Sequence, residues 1–309
     1  MNEQVVTEVG HCHGANAPIG ERVLGTLKVC AVLSKPRVLL MVVIVTILGF
    51  ILAGGNIISQ FWLFIATILG TALTGIGSTT LNQFLEIESD ALMHRTKHRP
   101  LPTKKISPES ALFFGMITIL LGVGLLVTEV NLLTGFLALL TAFLYVLVYT
   151  PLKKVTWLNT LIGAIPGALP PMGGWTAVTG GLEPGAWILF LILFVWQQPH
   201  FFAIAWMYRD DYARGGYKML PVLEPSGTST FSQIVWFSHL LIAVSILPVW
   251  YGLVGVPYLI GAITAGIYFL ASGIVLSHSR SNQDAKKVLK ASLAYLPAIF
   301  LSVLIDLQF

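Results

Sequence analysis

Long apolar runs separated by short polar segments recur from about residue 36 to the end of the chain. A hydrocarbon core about 30 Å thick takes about 20 apolar residues of helix rising about 1.5 Å each. Runs of that order lie near 36–53, 61–81, 112–128, 132–149, 158–175, 186–207, 234–253, 256–276 and 291–307. The pattern predicts an all-α polytopic membrane protein, a bundle of about nine transmembrane helices. Eight is the alternative if the fifth run, with Pro166, Pro170 and Pro171, is broken or tilted along a cavity. Residues 1–35 are polar and mixed and read as a cytoplasmic tail rather than a cleaved leader. Residues 36–309 read as one transmembrane domain.

Composition narrows the class. Hydrophobic residues make up 55% and charged residues 10%, with a mean hydropathy of +0.80, more apolar surface than a soluble domain can hide. The basic residues then orient the bundle, because Lys and Arg collect in short cytoplasmic loops. Arg22, Lys28, Lys35 and Arg37 precede the first run; Arg95, Lys97, Arg99, Lys104 and Lys105 follow the second. Lys153 and Lys154 follow the fourth, Arg209, Arg214 and Lys218 the sixth, and Arg280, Lys286, Lys287 and Lys290 the eighth. This places the amino terminus inside and, with nine spans, Phe309 outside. The net charge of +4 is a by-product of that asymmetry and does not indicate a nucleic-acid partner. Cys12 and Cys30 both fall on the predicted cytoplasmic side, so no disulfide framework is implied. The absence of an Arg-rich presequence favours a bacterial inner membrane over a mitochondrial one.

Carboxylates are few, and two groups of them sit at predicted inner helix ends. In the first, Asn82, Glu86 and Asp90 lie four residues apart and form one oxygen-bearing stripe if the second helix continues past the hydrocarbon. His94 and His98 continue that spacing, Glu88 lies off it, and Pro100 is expected to end the helix at Arg99. The second group is Asp210 and Asp211, followed by Arg214 and Lys218. Two facing sets of oxygen ligands suit Mg²⁺, a hard ion held by a few carboxylates together with substrate phosphates. Interspersed cations suit a diphosphate: Arg95 and Arg99 as bidentate ligands, Lys97, Lys153 and Lys218 as point charges. Such a set would stabilise the pyrophosphate leaving an allylic diphosphate. Tyr145, Tyr149, Trp175, Trp196, Trp206 and Tyr208 are candidates to face the resulting carbocation.

The stretch from Asn82 to Pro100 resembles the N-x-x-x-D-x-x-x-D motif of UbiA-type intramembrane prenyltransferases, with the M-x-R-T-x-x-R-P continuation of their heme O synthase branch. Tyr149-Thr-Pro-Leu-Lys153, Pro166-Gly-Ala, Pro170-Pro-Met-Gly-Gly-Trp175, Trp196-Gln-Gln-Pro-His-Phe201 and Asp211-Tyr through Leu220-Pro221 extend the likeness over roughly residues 30 to 305. The resemblance implies a cavity open to the cytoplasm, Mg²⁺ dependence, and transfer of a farnesyl group from farnesyl diphosphate to a vinyl group of heme B. The product, heme O, would serve terminal oxidases directly or after further oxidation by a heme A synthase. Carried over by position, Asn82, Glu86 and Asp90 match the first metal–diphosphate motif, with Arg95, Arg99 and Lys153 on the diphosphate. Asp210 and Asp211 match the second acidic region, although its D-x-x-x-D spacing is absent, and Glu86 replaces the commoner Asp. His200, with Tyr149 and Trp196, is the candidate contact for the porphyrin, through its iron or a propionate; the alternative is an interior histidine in a hydrogen bond. Two other functions fit less well: a prenyltransferase with an aromatic quinone-precursor acceptor, and a secondary transporter, whose polar groups would sit at the midplane.

Overall fold

The computed structural model describes Gly25 and residues 28–306. Among these residues the regular structure is helical, without strands. Its long rods are α1 (Pro36–Leu52), α2 (Phe61–Leu85), α3 (Pro108–Glu129), α4 (Leu132–Leu152), α5 (Asn159–Thr179), α6 (Pro184–Met207), α7 (Thr228–Trp250), α8 (Val256–Ser279) and α9 (Asn282–Asp306). Against the expected nine spans, seven of these rods are long and apolar enough to cross a bilayer: α2, α3, α4, α6, α7, α8 and α9. Of the other two, α1 has only 17 residues, and α5 gives up apolar content to its glycines and prolines. The fifth rod is not broken. It runs through Pro166, Pro170 and Pro171 as one helix of 21 residues.

Helix ends follow the local sequence. Pro108 opens α3 behind Ser107, whose Oγ accepts the Ser110 N–H. Asn131 caps α4 by accepting from the Thr134 N–H at 2.8 Å, and Gly180 closes α5 in the left-handed region. Packing between rods uses the absence of side chains. A Cβ built on Gly122 of α3 would lie 2.6 Å from the Gly70 carbonyl of α2, so these helices meet backbone to backbone, as small residues permit in a membrane. The α1–α5 contact has the same character, with Gly49 against the Pro171 carbonyl and Gly174 against that of Thr46. At the centre is α6: 67% of its apolar window is buried, against 28–39% for the other six spanning helices. Around it, Ile192, Val195, Phe202 and Trp206 pack with Phe231, Phe269, Val288 and Tyr295.

The segments after α2, α4 and α6 converge at one end of the bundle. Lys153 reaches Glu86, the Lys218 N–H donates to the Lys153 carbonyl, and Asp211 accepts from the backbone of His94 and Arg95. The segment before α1 joins them: Leu33 is fully buried with Leu101 and Ala111. Residues 28–35, part of the expected tail, are therefore packed against the bundle, whereas Cys12, Arg22 and Phe309 lie outside the described residues.

Candidate active site

The stripe forms as the spacing requires. Glu86 N–H donates to the Asn82 carbonyl at 3.1 Å and Asp90 N–H to the Glu86 carbonyl at 2.7 Å, so the turn continues past α2 into a short helix, Ile87–Leu92. All three side chains are buried, and Glu88 is exposed. Each member of the stripe meets a cation. Lys153 Nζ pairs with Glu86 Oε1 at 2.7 Å, Arg99 Nη1 with Asp90 Oδ2 at 2.7 Å, and Lys35 Nζ donates to Asn82 Oδ1 at 2.8 Å. From sequence alone Lys35 is one of the charges that orient the bundle. It occupies the left-handed region, at φ 47°, directly before Pro36, a conformation that costs a non-glycine residue about 1–3 kcal/mol and recurs at functional sites.

A π turn over Leu144–Tyr149 of α4 prepares the opposite wall. Pro151 has no N–H to continue the α-helical ladder, and both the N–H and the hydroxyl of Thr150 bond to the Tyr145 carbonyl five residues back. Thr150 Oγ1 also accepts from Asn82 Nδ2 at 3.0 Å. Tyr145, Tyr149 and Lys153 follow at intervals of four, and the ammonium of Lys153 sits 4.5 Å from the Tyr149 ring centroid.

The charges do not cancel evenly. Burial pushes Glu86 up, but Lys153 and Lys35 outweigh it and hold the carboxyl below its ordinary value. For Asp90 burial prevails over Arg99 and raises the carboxyl. Burial first, and the Arg99 charge second, draw Lys35 down to about 7. Asp90 Oδ1 is buried with no hydrogen-bond partner, an arrangement that costs free energy until a donor or cation arrives. No three His, Cys, Asp or Glu side chains gather into a metal cage among the described residues. Asp90 Oδ1, Glu86 and Asn82 instead fit an ion that takes most of its ligands from phosphate and water.

A cavity of about 430 Å³ opens beside this cluster. Arg37, Tyr145 and Tyr149 border it at the charged end; Trp196, Gln197 and His200 of α6 form one wall; Leu126, Thr134 and Leu137 close the far end. Between Tyr149 and Thr134 the α4 lining spans about 22 Å at 1.5 Å per residue. Its hydroxyl residues offer little polarity, because Thr74, Ser78, Thr79 and Thr141 each donate to a carbonyl of their own helix. The cavity is an apolar tunnel with ions at its mouth.

The profile of the UbiA prenyltransferase family matches residues 42–302. The protoheme IX farnesyltransferase of Salinibacter ruber is 47% identical over 281 residues, covering 89% of this chain and 97% of that one. Its counterpart from Solibacter usitatus is 42% identical at the same coverage. The chain belongs to the UbiA prenyltransferase family. The fold agrees: a solved digeranylgeranylglyceryl phosphate synthase superposes with a TM-score of 0.73 at 20% identity, over 91% of this chain and 98% of that one. A UbiA homolog from Archaeoglobus fulgidus, bound to GPP and Mg²⁺, superposes at 0.60 with 15% identity, over 89% and 99%.

Within this UbiA-family site several sequence expectations change. The helix carrying the stripe stops at Leu92, not at Arg99, because Met93 turns extended and Asp211 takes the next two N–H groups, His94 at 3.0 Å and Arg95 at 3.2 Å. His94 and His98 therefore leave the stripe and are exposed. Asp211 is buried, also pairs with Arg214, and is held below its ordinary value: burial opposes that shift, while the bonds from Arg214, His94 and Arg95 drive it. Asp210, Lys97 and Lys218 are exposed, and Lys218 contributes its backbone, accepting from Asn159 Nδ2. Arg95 lies over Tyr208 at 4.8 Å. Of the aromatic candidates, Tyr145, Tyr149 and Trp196 line the cavity. Trp175 packs in the core with its indole N–H on Glu183, and Trp206 packs against Phe231.

Proposed function

We propose that this chain transfers the farnesyl group of farnesyl diphosphate to a vinyl group of heme B, with addition of water, giving heme O and diphosphate. The observation that carries the reading is the placement of three cations, Lys153 buried and Lys35 and Arg99 half-buried, and an unsatisfied Asp90 oxygen beside the tyrosine end of an apolar tunnel, in a chain whose relatives are protoheme IX farnesyltransferases. Asn82, Glu86 and Asp90 would hold Mg²⁺, as the solved Archaeoglobus relative holds Mg²⁺ with GPP. When bound, the ion adds positive charge where the diphosphate gathers negative charge.

The side chains account for the remaining steps. Arg99 and Lys153 exchange their carboxylate partners for phosphate oxygens, Lys35 adds a third charge, and Arg95 stands at the entrance. Together they stabilise the charge that develops as the C1–O bond breaks. The tunnel takes the isoprenoid tail and keeps water from the allylic cation, while Tyr145 and Tyr149 turn π faces toward it. The terminal vinyl carbon attacks C1 and forms the new C–C bond. Water then adds to the porphyrin-side cation and releases a proton. Asp211 acts as a strut that positions the Arg95 segment. We place this basic end at the cytoplasmic face of a bacterial inner membrane, with the amino terminus inside, on the distribution of Lys and Arg.

The test is incubation of the purified protein in detergent with heme B, farnesyl diphosphate and Mg²⁺, followed by mass spectrometry. A farnesylated, hydrated heme that disappears with EDTA and in Asp90→Ala is expected. Prenylation of hydroxybenzoate in place of heme would overturn the acceptor.

A further inference from the structure

The wall of the cavity opposite the tyrosines contains a hydrogen-bond chain that fixes a tautomer. Trp196 and His200 lie one turn apart on α6 with their rings stacked, centroids 5.1 Å apart and planes at 25°. A single residue of α9, Ser292, fully buried, contacts both. The Trp196 indole N–H donates to the Ser292 carbonyl at 2.9 Å, and His200 Nδ1 lies 2.7 Å from Ser292 Oγ. The hydroxyl has one proton, and the Leu289 carbonyl, 2.7 Å away, can only accept. Ser292 Oγ–H therefore donates to Leu289, and Ser292 Oγ accepts from His200 Nδ1–H. The proton of the neutral imidazole is placed on Nδ1, which leaves a lone pair on Nε2.

That lone pair has no hydrogen-bond partner among the described residues, and the ring lines the cavity beside Gln197, Phe201 and Leu293. The residue is half-buried, and Nε2 is not among the buried unpartnered atoms, so this nitrogen is open to the cavity and available to a ligand there. Nε2 with Nδ1–H anchored is the arrangement of a metal-ligating histidine, in which an outer partner fixes ring and tautomer. Resting on the heme acceptor proposed above, we infer that His200 Nε2 ligates the iron of the incoming porphyrin and that Ser292 is the positioning residue that presents it. Ligation at one wall fixes the porphyrin in the cavity and so selects the vinyl group that meets the allylic carbon.

The experiment titrates the full chain in detergent with ferric heme B, following the Soret band, and in parallel with metal-free protoporphyrin IX. His200→Ala removes the ligated heme spectrum and weakens heme B while leaving protoporphyrin IX within about two-fold of wild type. Ser292→Ala keeps the carbonyl that Trp196 uses but loses the hydroxyl, and heme B affinity falls about ten-fold, at the lower end for loss of an outer-shell partner; Ser292→Thr restores it. A melting temperature in detergent within a few degrees of wild type, measured on the same samples, shows that the variants are folded. Equal losses for heme B and protoporphyrin IX in His200→Ala, or a wild-type spectrum and affinity in Ser292→Ala, would overturn the inference. If heme is farnesylated but His200→Ala leaves its spectrum unchanged, ligation alone fails. If only a different acceptor is prenylated, the heme reading falls with it.

Discussion

Asp211→Asn separates a strut from a metal ligand. The carboxylate accepts two backbone N–H groups, at His94 and Arg95, across 117 and 116 residues of sequence. The amide that replaces it keeps one oxygen and turns an NH₂ toward the other N–H. One hydrogen bond to a charged acceptor is lost, worth about 1.5–3 kcal/mol. The Arg214 pair adds little, because Arg214 is 43% exposed. At about 1.4 kcal/mol per factor of ten, opening of the segment from Met93 to Arg99 becomes about 10- to 150-fold more frequent. That segment carries Arg95 and Arg99, so the KM for farnesyl diphosphate rises while the Mg²⁺ concentration for half-maximal rate stays near wild type. Hydrogen exchange over residues 93–99 reads the opening directly, and steady-state kinetics at several Mg²⁺ concentrations read the rest. A raised Mg²⁺ requirement with unchanged exchange would refute the argument and return Asp211 to the metal.

Other consequences follow from the buried charges. Lys153→Ala strands Glu86 in a buried site, an effect of about 3–5 kcal/mol when one partner of such a pair is removed, so its melting temperature in detergent falls; Glu86→Gln with Lys153→Met recovers the melt but not turnover. Arg99→Lys keeps the charge and loses the fork, so the KM for farnesyl diphosphate should rise, and unchanged kinetics would remove Arg99 from the diphosphate. Lys35 is drawn down to about 7: below that pH the ammonium competes for Asn82 Oδ1, and above it the neutral amine yields. The Mg²⁺ requirement should therefore fall as pH rises through 7, and Lys35→Met should flatten that dependence when both are titrated side by side.

The sequence by itself determined whatever depends on near neighbours in the chain. Apolar run length located the helices, because every rod must satisfy its own backbone in lipid. Intervals of four placed Asn82, Glu86 and Asp90 on one face, since that periodicity is a property of the helix. The residue pattern from Asn82 to Pro100 was enough to point to the family. What tertiary structure decided lies in contacts between distant segments: Lys35 reaching Asn82, Asp211 stopping the helix at Leu92, Ser292 choosing the proton position of His200. It also chose among the aromatics, admitting Tyr145, Tyr149 and Trp196 to the cavity and sending Trp175 and Trp206 into the core. Local periodicity states which face a residue occupies. Which partner waits there depends on how the helices pack, and glycine contacts such as Gly70 with Gly122 set how closely they approach.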